Sequence, residues 1–358
     1  MSEVESKITI DEIRGADADR QFAALEDRSF GVLAPDHYLD DFPIWDSNHS
    51  TAVGTVFRIG AFEGTKLVAA AGVRLAEMKY PKGPVTVALI GAVATDSDYR
   101  GRGLATQLVS TTVQWAGERG AALAMLWGSE HQLYGKIGFA PCGTQASLPL
   151  SSLMIGRPGE KEPEISKGWT QGLLGALKSR PSGIQIRDID RGWLSAQKNV
   201  QWFWTGDPLQ VTAYAAIGRG IDLPHFVHEW GGERTALLSI LRRIAAMDGE
   251  AKLLGSPALF AKYGFQYDSV SEERLGLARV IDPKALFQAV HGDAVFTSVF
   301  SNSQWKIGLT PAHGKTVVDS LAPLEISRLF FGPIPTSLKK PWSDYFPLPL
   351  WFWGLDAV

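Results

Sequence analysis

One block of this sequence occurs twice. Leu126-Trp127-Gly128-Ser129 leads within a few residues to Leu133-Tyr134-Gly135-Lys136-Ile137-Gly138-Phe139, and far downstream Leu254-Gly255-Ser256 leads to Leu259-Phe260-Ala261-Lys262-Tyr263-Gly264-Phe265. Both blocks carry Gly-Ser and then Leu-aromatic-x-Lys-x-Gly-Phe, with spacings that differ by one residue. Each follows a segment apolar at helical spacing: Leu104, Leu108, Val113 and Ala116 before the first, Leu237, Ile240, Leu241 and Ile244 before the second. A shared order of this length points to duplication of one folding unit. The 358 residues fit that reading, since ~150 residues per domain gives two or three domains.

The elements around the first block alternate. Lys7 to Arg14 reads as a short strand, and Asp17 as the cap of a helix that runs through Phe22, Leu25 and Phe30 to Gly31. Val56 to Phe62 and Lys66 to Met78 read as strands joined by a tight turn at Glu63-Gly64. Val85 to Ala94 is an apolar run of the kind buried on both faces of a sheet. A Gly-rich loop and the Leu104 helix follow, and Gly120 is placed to end that helix. Ala121 to Trp127 returns as a strand, and a short helix through Leu133 and Tyr134 ends before Gly138. This is α/β (α+β) architecture on a mixed sheet.

The stretch from Arg157 to Glu164 is charged and bears two prolines, so it reads as a linker, with the second unit taken up near Gly183. Beyond Leu277 a strand enters a helix near Phe287, two strands flank Ser301-Asn302-Ser303, and a helix from Leu324 ends at Gly332. The tail holds Trp342, Tyr345, Phe346, Trp351, Phe352 and Trp353. Burying each such ring is worth about 1.5–3 kcal/mol, so the tail is expected to dock on the body.

The chemistry centres on Tyr99-Arg100-Gly101-Arg102-Gly103-Leu104-Ala105. The loop leaves a buried strand and opens a helix, so free amides and the positive end of the helix dipole converge on one place, an anion site suited to pyrophosphate. Gly101 and Gly103 let backbone approach a ligand without a Cβ in the way. Arg100 and Arg102 either add charge there or are solvated. No Gly-Lys-Ser/Thr ends the loop, so it is not a P-loop, and neither the glycine spacing nor the following strand fits a dinucleotide fingerprint.

Arg-x-x-Gly-x-Ala after a strand, a second strand, then Tyr-Gly-Lys-Ile-Gly-Phe resembles the GCN5-related N-acetyltransferases (GNAT). Ser129-Glu130-x-x-x-Tyr134-Gly135-x-x-Gly138, a degenerate second unit and a different C-terminal part are closer still to the enhanced-intracellular-survival (Eis) acetyltransferases. The specific motifs lie between about Val93 and Phe139. The resemblance implies two tandem GNAT-like domains, the second degenerate, followed by a small sterol-carrier-protein-like α+β domain. On that scheme residues 1–150 form the catalytic domain, 151–276 the degenerate one, and 277–358 the third domain, with its tail toward the active site.

The same resemblance implies acetyl-CoA as cosubstrate. It would be held by the backbone of Val93, Ala94 and Thr95, by the loop from Arg100 through Gly101, Arg102, Gly103, Leu104 and Ala105 to Thr106, and by Ser129 and Glu130. It implies Tyr134 as general acid and the chain's terminal carboxylate, here on Val358, as general base. An attacking amine must lose a proton and the leaving thiolate benefits from one, yet Val85 to Ala94 contains no acid. The base therefore comes from elsewhere: a water chain, His131, Glu77, Asp356 or Val358. In the downstream copy the loop equivalent, from Glu229 to Thr235, lacks Arg-x-x-Gly-x-Ala and sets Glu233 where phosphate would sit, so that unit is expected to be structural. The reading is an N-acetyltransferase acting on a small primary amine by direct attack. The alternative is a non-catalytic protein that binds acyl-CoA or an apolar ligand in its third domain.

Several classes are set aside. Thirty-five Lys and Arg against 38 Asp and Glu give a net charge of -3, a poor basis for nucleic-acid binding through counterion release. No apolar run reaches the ~18 residues of a membrane span, and the charged first ten residues lack the apolar core of a secretory signal. Cys142 is the single cysteine, which excludes an internal disulfide and suits a reducing cytoplasm. The seven histidines show no metal-ligand spacing, so no metal is expected. The apolar C-terminal surface permits assembly into a homo-oligomer.

Overall fold

The computed structural model describes residues 7–49, 54–153, 163–292, 295–311, 315–333 and 341–358. The expected linker, 157–164, lies outside the described residues except at its last two positions.

The first unit begins with β1 (Ile8–Glu12), α1 (Ala16–Phe30) and the short α2 (Tyr38–Asp41). Its hairpins follow as β2 (Val56–Glu63), β3 (Lys66–Met78) and β4 (Val85–Thr95). Then come α3 (Leu104–Gly117), β5 (Leu123–Leu126), α4 (His131–Gly135) and β6 (Ala140–Cys142). The next stretch holds β7 (Gln145–Pro149), β8 (Ser166–Lys167), α5 (Gln171–Lys178) and α6 (Arg191–Ala196). Strands β9 (Gln201–Asp207), β10 (Gln210–Ile217) and β11 (Phe226–Gly232) lead to α7 (Arg234–Met247), β12 (Lys252–Gly255), α8 (Pro257–Tyr263) and β13 (Glu272–Glu273). The remainder is β14 (Gly276–Val280), α9 (Pro283–His291), β15 (Val295–Ser301), β16 (Gln304–Thr310), β17 (Val317–Leu321), α10 (Pro323–Phe331) and α11 (Trp342–Tyr345).

Two seven-stranded sheets carry the duplication. Their orders are β1-β2-β3-β4-β5-β14-β6 and, from the equivalent edge, β8-β9-β10-β11-β12-β7-β13. In each, the fourth and fifth strands are the parallel pair, β4 with β5 and β11 with β12, bridged by α3 and α7. The sixth strand of each sheet comes from the other side of the chain. Gly276–Val280 pairs with β5 and β6 in the first sheet, and Gln145–Pro149 pairs with β12 in the second. The boundaries at 150 and 276 therefore do not separate the sheets. A strand's sheet is decided by which edge it can pair with, and the two units have exchanged theirs. The third body is a three-stranded antiparallel sheet, β15-β16-β17, flanked by helices; its hairpin turns at Asn302 and Ser303, both at positive φ (49° and 60°).

Local chemistry accounts for the central elements. Strand β3 is buried from Leu67 through Ala76, as expected of a strand covered on both faces. Its Gly72 admits the Trp45 ring, which would lie 2.6 Å from a Cβ there. Helix α1 ends at Gly31, in the left-handed conformation that favours glycine (φ 68°). Its N-cap is Gly15 rather than Asp17, which falls inside the first turn, where a carboxylate favours the helix dipole. Phe22 and Leu25 of α1 pack with Ala70, Ala92 and Ala94, whereas Leu104 and Leu108 of α3 pack with Ala69 and Ala71 in a separate cluster. Helix α7 buries Leu237, Ile240, Leu241 and Ile244, the stripe read from the sequence.

The tail is docked. Trp342, Phe346, Trp351, Phe352, Trp353 and Leu355 are all buried. Cys142 is structural: its thiol donates to the Ser327 carbonyl (3.4 Å), and burial pushes its pKa up to about 12. Among the described residues no helix is long and apolar enough to cross a membrane, and no cluster of His, Cys, Asp and Glu could hold a metal.

Candidate active site

The site starts from a break in strand pairing. Strand β4 pairs with β5 from Val87↔Leu123 to Ile90↔Leu126 and then loses its partner, because β5 ends at Leu126. On the β3 side the register shifts between Ala70↔Ala94 and Gly72↔Gly91, and Ala92 takes a positive φ of 47°. A bulge of this kind bends its strand and re-aims the residues beyond it. Past Ile90, then, β4 has no strand partner on its β5 side among the described residues, which leaves backbone groups before the Thr95 carbonyl for a ligand.

The loop after β4 has the expected geometry. Gly101 and Gly103 lie at φ 76° and 77°, with open space where a Cβ would be. Gly103 caps α3 with no side-chain acceptor, so the first-turn amides of Leu104, Ala105 and Thr106 are left for another partner. Leu104's side chain is buried, so only its backbone faces the loop. Arg100 donates through Nε to the Thr95 carbonyl (3.3 Å). Arg102 donates to the Asp98 carbonyl (3.1 Å) and lies 4.6 Å over the Tyr99 ring. Both guanidinium groups are thus held on the loop itself.

A cavity of about 370 Å³ occupies the gap between β4 and β5. Of the residues singled out from sequence, Val93, Ser129, Glu130, Tyr134 and Val358 all line it, together with Gly91 and Ala92. Tyr134 sits on α4, 8% exposed, and burial with the nearby Glu130 raises its phenol above the usual pKa, so it stays protonated and able to donate. His131 is exposed at the start of α4 and is absent from the cavity wall. Glu77 lies opposite Thr86, at the other end of the sheet from the bulge. Asp356 is fully buried with its oxygens taken, one by Arg180 (2.6 Å), the other by the amides of Ile184 (3.1 Å) and Trp353 (3.0 Å). Of the side chains and chain end offered as base, only Val358 borders the cavity.

The second unit holds the tail there. Arg180, buried, donates also to Glu229 (2.8 Å), which accepts from the Leu355 amide (3.2 Å). Burial opposes the Arg180 charge, and Asp356 and Glu229 restore it beyond its ordinary value. Arg219, 1% exposed, donates to the carbonyls of Gly354 (2.5 Å) and Ala357 (2.9 Å), bridges to Asp222 and covers Phe42. Arg219 and Asp222 also line the cavity. Sequence reading missed both, as it missed Phe30, Tyr38 and Phe42, which line it from the first unit. One signal was present: Gly218 and Gly220, at φ 81° and 49°, flank Arg219 and mark a tight turn.

In the second unit the helix start is capped from within, while a cavity of about 410 Å³ lies beside Trp230, Gly231, Gly232 and Tyr263. Glu233 caps α7, accepting from the amides of Thr235 (2.9 Å) and Ala236 (2.7 Å), and these bonds lower its pKa. Strands β11 and β12 pair only at Phe226↔Lys252 and Val227↔Leu253, and beyond them the Trp230 indole donates to the Leu254 carbonyl (2.7 Å). A carboxylate stands where the first unit offers amides.

A parallel pair splayed by a bulge, with an uncapped helix start beside it, brings an open strand edge and free amides to one place. Comparison with known proteins bears on this site: residues 10–142 match the acetyltransferase (GNAT) domain family. An uncharacterized N-acetyltransferase of Streptomyces griseus is 27% identical over 177 residues, covering 44% of this chain and 42% of the relative's length. The chain is similar in fold to a GCN5-related N-acetyltransferase from Kribbella flavida (TM-score 0.64, 15% identity, 92% of this chain and 90% of that one). It is similar also to Eis1 from Mycobacterium abscessus (TM-score 0.56, 15% identity, 91% and 90%).

Proposed function

We propose that this chain is an acetyl-CoA-dependent N-acetyltransferase that acetylates a small primary amine by direct attack. The observation that carries the reading is the meeting of Tyr134 and Val358 on one cavity, at the point where β4 parts from β5. Acetyl-CoA, when bound, supplies an acetyl thioester. The free amides at the start of α3 and the left-handed Gly101 and Gly103 suit its pyrophosphate, and the unpaired edge from Val93 to Thr95 suits the pantetheine arm. The Val358 carboxylate takes the proton from the attacking amine, the N–C bond forms as the C–S bond breaks, and Tyr134 donates its proton to the departing sulfur. Ser129 and Glu130 form the rim. The third body, read as sterol-carrier-like, serves as the anchor of the tail, and the second unit as its clamp.

Calorimetry with acetyl-CoA and a panel of amines assayed by release of the CoA thiol test this. One coenzyme per chain and turnover that falls in Tyr134→Phe with little change in coenzyme affinity are expected. No coenzyme binding, or unchanged turnover in Tyr134→Phe, overturns the reading or the acid role respectively. Adding a glycine after Val358 should depress turnover if its carboxylate is the base.

A further inference from the structure

We infer that the acceptor is an amphiphilic amine, a primary ammonium on an apolar body with a second cationic group at its far end. It would lie along a cleft leading outward from the reaction cavity between the first and second units. The inference deepens the proposed function and rests on it.

A second cavity, of about 610 Å³, adjoins the first. Ile221 lines both, and the neighbouring pairs Phe30-Gly31 and Asp41-Phe42 are each divided between the two. Its walls come from both units: the turn after α1 on one side, and the turn after β10 with the end of α7 on the other.

Large apolar side chains are exposed along this path. Single exposed hydrophobic side chains are ordinary, but Phe30 (41% exposed), Leu33 (80%), Ile221 (50%) and Met247 (48%) gather on this one path. Apolar surface concentrated on a concave wall beside a reacting centre marks a place for a ligand. The ionisable side chains of the outer cavity are all acidic: Asp36, Asp41 and Asp248, with no Lys or Arg lining it among the described residues. Asp41 is turned inward, 3% exposed, and accepts from Asn199 (2.8 Å). Asp248 is already engaged, accepting from His225 Nδ1 (3.0 Å) and from the Glu250 amide (3.0 Å). Asp36 is exposed and has no ion-pair partner among the described residues. Asp36 is therefore placed to meet a cation at the outer end. A polyhydroxylated amine would leave Leu33 and Met247 in water, whereas an alkyl or aryl ammonium covers them.

Octylamine, 1,8-diaminooctane, butylamine and glucosamine, assayed by thiol release, test the inference. Octylamine should exceed glucosamine in kcat/KM by tenfold or more, and the diamine should exceed octylamine by a margin that Asp36→Asn removes. The double variant of Leu33→Ser and Met247→Ser should raise KM for octylamine about tenfold, and less for butylamine, because less apolar surface is then covered. Glucosamine equal to or better than octylamine overturns the inference, as does a double variant that affects the two alkylamines alike. A dimer in light scattering that the double variant dissolves also overturns it, since the patch then belongs to a second copy of the chain. If acetyl-CoA binds and is consumed but these orders are absent, the acceptor inference alone falls. If acetyl-CoA does not bind, the proposed function falls and takes this inference with it.

Discussion

A Cβ built on Gly91 would collide with the main-chain oxygen of Val358. Gly91 is the first residue of β4 beyond its pairing with β5, so the chain end lies over the sheet face where the two strands part. Only a residue without a side chain allows that approach.

Gly91→Ala should therefore displace the tail rather than the sheet, since the Trp45 ring at 3.2 Å blocks the other direction. We expect kcat to fall at least tenfold with acetyl-CoA affinity nearly unchanged, measured by steady-state kinetics beside calorimetry. Unaltered kcat would detach the tail from the chemistry.

Tyr134 titrates above its ordinary value of 10.0, because burial, and after it Glu130, disfavour the phenolate. An acid whose pKa is raised keeps its proton through the neutral range, so no alkaline loss of kcat up to pH 10 is expected from this group. Tyr134→Phe should lower kcat about 10²–10⁴-fold, the usual worth of a positioned acid. A pH–rate profile that breaks near pH 8 in wild type but not in Tyr134→Phe would contradict the assignment.

His228 is wholly buried and its pKa is lowered to about 4, first by burial and then by Arg219. It donates from Nε2 to the Gly218 carbonyl (3.0 Å) and lies against Gly354 of the tail. The unfolded chain binds a proton at 6.5 and the folded one only near 4, so stability is complete above pH 6.5 and declines as pH falls toward 4. The loss is on the order of 3 kcal/mol. Urea midpoints between pH 7 and 4.5 should show it, and His228→Gln, which can still donate to Gly218, should flatten the slope. An equal slope in both proteins would place the acid sensitivity elsewhere.

Glu233→Ala uncovers the amides at the start of α7. A lower denaturation midpoint is expected, with coenzyme stoichiometry still at one, because the Trp230 indole continues to occupy the Leu254 carbonyl where β11 and β12 part. A second coenzyme bound by this variant would show that the cap alone closed the site.

Elements set by local pattern were legible in the sequence. The turn at Glu63-Gly64, the apolar run of β4, the stripes of α3 and α7 and the ends at Gly31 and Gly332 all derive from spacing and backbone preference over a few residues. So did the loop at Arg100 to Ala105 and the aromatic weight of a tail that had to be buried.

Pairing across the chain was decided only by the tertiary structure. Nothing local in Gly276–Val280 or Gln145–Pro149 says that each joins the other unit's sheet. Arg219, Asp222 and Phe30 reach one cavity from distant stretches of chain, and Asp356 is withdrawn from it by Arg180, an ion pair spanning 176 positions. Short-range sterics and periodicity fix elements, because they act within a few residues. Which edges meet, and which charges end in the same pocket, is settled by burial summed over the whole molecule.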